Sequence, residues 1–223
     1  MANKLNLLIM GPAGSGKGTQ SEKIVEKFDV VHLSTGDMFR AAISNQTEAG
    51  KKASEFIDQG LLVPDEITIA LVEERLMQAD VQEKGYLLDG FPRTIGQAEA
   101  LSQLLAKIQM PLNLIIDLKV DEKLLVERIS GRRMCEVCGT IYHITYNPPA
   151  VSGVCDLDGG KLYQRSDDNE AGLKVRLAEY NKSTAPIIGY YGDSVEVIEV
   201  DASQTVDQVF ASIDTKLESL LND

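Results

Sequence analysis

Short runs of apolar residues alternate along this chain with longer stretches whose apolar positions recur every three to four residues. The short runs are Leu5–Met10, Val30–Leu33, Tyr86–Leu88, Leu114–Leu118 and Val195–Val200, bounded by Gly, Asp or Ser. Runs of that length predict strands of a mostly parallel sheet, buried on both faces. Helical spacing marks Ser21–Phe28, Ala98–Ile108, Glu122–Ile129, Gly172–Tyr191 and Val206–Leu221. Strand and helix in alternation predict an α/β fold, a doubly wound parallel sheet of five strands.

Two segments depart from this rhythm. Residues 35–64 fall between the second and third strands, yet read as mostly helical, punctuated by Gly50, Gly60 and Pro64. Residues 131–168 hold all three cysteines, Pro148–Pro149 and Gly159–Gly160, with little helical period. Both read as insertions into a core made of residues 1–34, 65–130 and 169–223.

Charge changes the picture by exclusion. The 223 residues carry 22 Lys+Arg against 34 Asp+Glu, a net charge of −12. Sequence-independent nucleic-acid binding needs a broad basic face, so no nucleic-acid partner is expected. A focused anion site stays open, because net charge averages over a surface and a site does not. No apolar stretch reaches the length of a signal-peptide core or a membrane span. Three cysteines do not make a secreted disulfide framework. The expectation is a cytoplasmic protein with no membrane partner, and a monomer, since no extra apolar segment asks for a second copy.

Three groups of residues carry chemistry. GPAGSGKGTQ (Gly11–Gln20) follows the first strand and opens the first helix. Gly11, Gly14 and Gly16 let the backbone curl so that successive N–H groups face inward, and Lys17 adds a full charge for the β- and γ-phosphates of a nucleotide. The G-x-x-x-x-G-K spacing is met, but position 18 is Gly and the hydroxyl arrives one residue late, at Thr19.

The arginines form the second group. Arg93 lies in DGFPRT (Asp89–Thr94), at the C-terminal end of the third strand, where such sheets bind ligands. Arg40 follows STGD (Ser34–Asp37). Arg128, Arg132 and Arg133 enter the cysteine-bearing insertion, Arg165 leaves it, and Arg176 is expected to start the next long helix. Arg128 and Arg132, one helical turn apart, are expected to share a face. Guanidinium forks suit phosphate oxygens and the charge of a transferring phosphoryl group. For each arginine singly, the competing reading is a surface salt bridge, with Asp167 and Asp168 as obvious partners.

The third group is Cys135-x-x-Cys138 followed, after sixteen residues, by Cys155-x-x-Asp158. This is zinc-ribbon spacing with a carboxylate in the fourth place, and four protein ligands predict a structural Zn2+. His32, inside a strand, reads as a packing residue, and His143 receives no role.

Taken with STGDMFR, GLLVPDE, LLDGFPRT, GRRMCEVCG, YQRSDDNE and RLAEYNKSTAP, the phosphate loop gives the chain a resemblance to the adenylate kinases of the long bacterial type, from first strand to last helix. The resemblance implies a reversible, Mg2+-dependent transfer from ATP to AMP that yields two ADP, within a core carrying two mobile insertions. By the same resemblance Gly14, Ser15, Gly16, Lys17, Gly18 and Thr19 hold ATP phosphates. Arg132, Ile141 and Tyr142 cover ATP from the cysteine-bearing lid, Arg128 reaches phosphate from the core, and Gln204 lies by the adenine. Thr35, Arg40, Leu61, Leu62, Val63, Gly90, Phe91, Pro92, Arg93 and Gln97 line the AMP site, with Arg165 and Arg176 bridging towards the transferring group. The catalytic set is then Lys17, Arg93, Arg128, Arg132, Arg165 and Arg176. Asp89 reads either as a Mg2+ ligand through water or as a turn or helix cap.

Three other functions compete. A nucleotide-sensing module would share the phosphate loop but would not need so many arginines. A zinc-ribbon nucleic-acid binder explains the cysteines alone. Another nucleoside monophosphate kinase differs only in its acceptor.

Overall fold

In the computed structural model of the chain, which describes residues 4–57 and 59–222, Leu5–Met10 forms strand β1 with all six residues buried. It lies at the centre of a five-stranded parallel sheet with β2 (Val31–Ser34), β3 (Gly85–Asp89), β4 (Leu114–Lys119) and β8 (Glu196–Asp201), in the order β2-β3-β1-β4-β8. Burial on both faces is why β1, β3 and β4 read as apolar runs, whereas the edge strand β8 leaves Glu196, Glu199 and Asp201 exposed.

Side chains leave a strand on alternate faces, and two cores follow from that parity. Leu8, Met10, Leu88 and Ile115 pack on one face against Val72, Leu76, Leu101, Leu105 and Ile187. Leu7, Ile9, Leu87 and Ile116 pack on the other against Ile24, Val209, Ile213 and Leu217. The covering helices are α4 (Asp65–Leu76), α6 (Ile95–Ile108) and α9 (Ile187–Tyr191) on the first face, α1 (Lys17–Phe28) and α10 (Val206–Asn222) on the second. Each large aliphatic side chain buried this way contributes about 1.5–3 kcal/mol. Among the described residues, no helix is long and apolar enough to cross a membrane.

The connection between β2 and β3 carries α2 (Thr35–Ser44) and α3 (Glu48–Ile57), then α4 and the short α5 (Ala79–Lys84). The Ser34 hydroxyl caps α2 by accepting from the Asp37 N–H. Phe39, Ala53 and Val63 form a small core there with Phe56, Ile57, Ile67 and Leu71. The two helices meet so closely that a Cβ on Gly50 would stand 2.2 Å from the Ala42 carbonyl oxygen, which admits only glycine.

After α7 (Glu122–Gly131) a separate antiparallel sheet forms from β5 (Arg132–Cys135), β6 (Ile141–His143) and β7 (Leu162–Tyr163), in the order β6-β5-β7. Cys135, Tyr142, Cys155 and Leu162 form a small buried cluster there, and Met134 is buried beside them on β5. The chain returns to the core through α8 (Glu170–Glu179), whose N-cap Asn169 accepts from the Gly172 N–H.

Several expectations are corrected here. The first helix starts at Lys17 and not at Ser21, because its opening turn is the phosphate loop itself. Helices α4 and α5 escaped the periodicity. Ile67 and Leu71 face the small core beside α2 and α3, while Ile69, Val72 and Leu76 face the sheet, and burial on two sides erases a single apolar stripe. The long helix expected over 172–191 is broken. At Tyr180–Thr184 it widens into a π-turn, with the Ala185 N–H donating to the Tyr180 carbonyl at 2.9 Å, and Pro186 then has no N–H to continue the ladder. Arg176 therefore sits near the end of α8 and not at the start of a helix. Arg128 and Arg132 do not share a helical face either, since α7 ends at Gly131 and Arg132 is extended (φ −66°, ψ 140°) as the first residue of β5.

Candidate active site

The C-terminal ends of three adjacent strands are in register: Asp89 pairs with Ile9 on one side and Ser34 on the other. The chain segments that leave those ends therefore meet at one edge of the sheet, the usual ligand position in this architecture. They line a cleft of about 1840 Å³, which also takes in β5, β6, Arg165, Arg176 and the loop at Gln204. Single-ligand pockets run to about 300–1,000 Å³, so the space suits two nucleotide-sized molecules.

The phosphate loop has the expected curl, with positive φ at Gly11 (141°), Gly14 (85°) and Gly16 (96°). Gly16 caps α1, so the N–H groups of Lys17, Gly18 and Thr19 have no carbonyl a turn earlier and face the cleft. Ser15 is buried, and its hydroxyl finds no partner among the described residues. A Cβ at position 18 would stand 2.8 Å from Ile141 Cδ1, so the second sheet comes down close over the phosphate loop. Lys17 Nζ donates to the carbonyls of Gly11 at 2.7 Å and Pro12 at 3.0 Å. Burial, opposed by Asp89 and helped by Arg93, Arg132 and Arg176, pushes its pKa down to about 8.

Asp89 does not cap a helix; its carboxylate lies 3.6 Å from His32 Nε2 and in the field of Lys17. Burial pushes its pKa up, but His32, Lys17 and Arg93 outweigh that and hold it below the usual carboxylate value. His32 was expected to be a packing residue. It lines the cleft instead, and although burial lowers its pKa, Asp89, Asp37 and Glu22 together outweigh that and raise it above the usual imidazole value. Strand position alone could not distinguish the two, because the partner carboxylate comes from a different strand.

Every arginine singled out in the sequence except Arg133 borders this cleft: Arg40, Arg93, Arg128, Arg132, Arg165 and Arg176. Burial lowers the pKa of Arg93 and Arg128. Arg165 is pushed down to about 10 by burial and by Arg132 and Arg40, and its Nε is buried with no partner among the described residues. Such crowding of like charge is costly without an anion to share it.

Acidic residues hold the forks in place. Asp168, 1% exposed, accepts from Arg132 Nε at 2.8 Å and from Nη2, and from Arg176 Nη2 at 3.3 Å; Asp167 Oδ2 lies 3.1 Å from Arg176 Nη1. The salt-bridge reading and the cleft reading thus hold together for these arginines. Asp168→Asn removes the bidentate acceptor, and kcat should fall about 100-fold, since small misplacements of positioning groups cost that much. Steady-state kinetics with kcat within threefold of wild type contradict this.

At the other end of the cleft Thr35 Oγ1 donates to the Gly90 carbonyl at 2.8 Å, and Arg93 Nε donates to the same oxygen at 2.7 Å. The Thr184 hydroxyl, delivered by the π-turn, donates to the Arg93 carbonyl at 3.0 Å. Leu61, Leu62, Val63, Phe91, Pro92 and Gln97 also line this end, and Ile141, Tyr142 and Gln204 the opposite one. Tyr142 is mostly committed to its own sheet, where its hydroxyl accepts from the Asp156 N–H at 2.8 Å. His143 ends β6 and ties down the turn after it: its Nδ1 accepts from the N–H groups of Thr145 and Tyr146.

Cys135, Cys138, Cys155 and Asp158 converge, each offering a ligand atom within 4.8 Å of all the others. Cys138 and Cys155 Sγ are 3.6 Å apart, and Cys135 Sγ is 3.3 Å from Asp158 Oδ1. Tetrahedral zinc with bonds of about 2.3 Å has sulfur–sulfur edges of about 3.8 Å, so the four residues fit that ion.

Comparison with known proteins agrees with this geometry. The family model described as adenylate kinase matches residues 9–196. An adenylate kinase of Carboxydothermus hydrogenoformans is 53% identical over 214 residues, 96% of this chain and all of its own length. One of Bacillus subtilis is 48% identical over 216 residues (97% and 99%), and one of Staphylococcus epidermidis 49% over 205 (92% and 95%).

Proposed function

Because the chain belongs to the adenylate kinase family, it transfers a phosphoryl group between ATP and AMP, and we propose that the residues around this cleft divide that work as follows. ATP lies with its phosphates on the N–H groups of Gly14–Thr19 and on Lys17, its base near Gln204, covered by Arg132, Ile141 and Tyr142. AMP lies against Thr35, Arg40, Leu61–Val63, Gly90–Arg93 and Gln97. The observation that carries this division is the ring formed by Lys17, Arg93, Arg128, Arg132, Arg165 and Arg176 around one cleft, between the phosphate loop and the Gln97 end.

The AMP phosphate is already an ionised nucleophile, so no general base is needed. Its oxygen attacks the γ-phosphorus in line, the bond from that phosphorus to the bridging oxygen breaks, and two ADP result. The arginines hold both phosphate groups and offset the charge on the equatorial oxygens, so catalysis is positioning plus electrostatics. The reaction uses Mg2+ with ATP, and the ion would supply positive charge to offset the phosphate oxygens. Asp89, half-buried at the strand end with its pKa held low by His32, Lys17 and Arg93, is the residue that would take it through water. Cys135, Cys138, Cys155 and Asp158 would hold structural zinc.

Incubation of the chain with Mg2+, ATP and a panel of AMP, GMP, CMP and UMP tests the assignment. ADP should form fastest with AMP, and a comparable kcat/KM for CMP overturns the AMP reading.

Water competes with AMP as acceptor, so residues 35–64 and 131–168 close over the bound pair. A label pair on the exposed Leu157 and Asp193 should draw together on adding a bisubstrate analogue, and an unchanged distance rejects closure.

A further inference from the structure

Gln97 is 1% exposed, and both ends of its amide are engaged. Its Oε1 accepts from the main-chain N–H of Arg93 at 2.7 Å, and its Nε2 donates to Asp65 Oδ1 at 2.7 Å. The second carboxylate oxygen, Asp65 Oδ2, accepts from the Thr94 hydroxyl at 2.7 Å, while that hydroxyl accepts from the Gln97 N–H at 3.1 Å. A main-chain N–H cannot accept and a carboxylate cannot donate, so the amide has one orientation. Turning it over would set N–H against N–H and oxygen against carboxylate. Gln97 borders the cleft, whereas Asp65 stands behind it as the first residue of α4.

A glutamine amide free to turn would serve two kinds of purine equally. A 6-aminopurine presents an amino donor beside an acceptor ring nitrogen; a 6-oxopurine presents a carbonyl acceptor beside a ring N–H. Gln97 keeps one lone pair on Oε1 and one hydrogen on Nε2 after its internal bonds are made, each at a fixed place. The first base matches them, and the second meets like against like at both.

We propose that Asp65, with the Arg93 N–H, is a specificity-determining positioning residue that locks Gln97 for a 6-aminopurine acceptor and against a 6-oxopurine one. This rests on the reading that Gln97 faces the acceptor base. Unmatched polar groups in a closed site discriminate strongly between isosteres, so the effect belongs in relative kcat/KM.

The test compares kcat/KM for AMP and GMP in wild type, Asp65→Asn, Asp65→Ser, Asp65→Glu and Gln97→Leu, with Tm as a check on folding. In Asp65→Asn the Thr94 hydroxyl still needs an acceptor, so the introduced amide turns its N–H towards Gln97 and opposes the wild-type orientation, which the Arg93 N–H alone then supports. The AMP-to-GMP ratio should fall at least about tenfold, with kcat/KM for GMP rising in absolute terms, which a merely structural defect would not produce. Asp65→Ser, well tolerated at a helix start, should shift the ratio in the same direction. Asp65→Glu keeps an acceptor-only group and should restore the ratio to near wild type. AMP and GMP activities falling in proportion, or equal ratios in the Asn and Glu variants, overturn the lock. If Gln97→Leu leaves both acceptors unchanged, the base-facing reading of Gln97 fails and the lock with it. If Gln97→Leu lowers AMP selectively while the Asn and Ser variants keep the wild-type ratio, the lock alone fails.

Discussion

Replacing Lys17 with methionine is expected to lower kcat about a thousandfold while leaving the fold intact. The ammonium group is the one full charge at the head of the phosphate loop, and burial and neighbouring arginines have already pushed its pKa down to about 8. A preorganised charge at the transferring group is worth about 10²–10³ in rate, and more where it also fixes the phosphate; a thousandfold is about 4 kcal/mol of transition-state stabilisation. Methionine keeps the apolar stem and removes a buried cation, so Tm should hold or rise. That combination separates a chemical role from a structural one. The ligand-free protein adds a pH signature. Lys17 is charged below its pKa, so affinity for ATP should decline as pH rises through about 8, and Lys17→Met should lose that decline. A variant that keeps more than a tenth of wild-type kcat would remove Lys17 from the catalytic set.

Chelating the lid metal is expected to lower Tm by about 10 °C or more, with a smaller loss of activity at low temperature. The second sheet and its loops bury only Met134, Cys135, Tyr142, Cys155 and Leu162 as apolar residues, and two of those five belong to the metal cluster. So small a core does not hold three short strands together by itself. Structural zinc contributes about 10–16 kcal/mol in small domains. If only a third of that reaches the whole chain, at about 2–4 °C per kcal/mol the shift is about 10 °C. Cys155→Ser should have the same effect without a chelator. Protein purified without chelator should carry one zinc per chain, and metal analysis finding none would contradict the assignment.

The parts of this molecule legible in its sequence are those where local chemistry and position coincide. Gly11, Gly14, Gly16 and Lys17 announce an anion loop because each is needed at a fixed offset, and the cysteine pairs announce a metal for the same reason. The central strands were legible because burial on both faces makes them uniformly apolar. What could not be read depends on distant segments. Helix α4 is packed from two sides and shows no stripe. The π-turn at Tyr180–Thr184 answers to a carbonyl at Arg93, and His32 answers to Asp89 on another strand. Asp65 entered only as part of GLLVPDE, since nothing local says that it meets Gln97.

The phosphate loop grows from β1, the strand buried at all six positions and hydrogen-bonded to β3 on one side and β4 on the other. Segments with little buried surface open locally at small free-energy cost, whereas a central strand exchanges its amide protons only when the whole domain unfolds. The amides of Leu7–Ile9 should therefore be among the slowest in the chain to take up deuterium. Those of the cysteine-bearing sheet and of α2–α3, each over a small core of its own, should exchange much sooner. The molecule thus anchors its triphosphate-holding loop to its most persistent element and leaves the covers to fluctuate. On the closure proposed above, the covers would move without loosening the strand from which the phosphate loop grows.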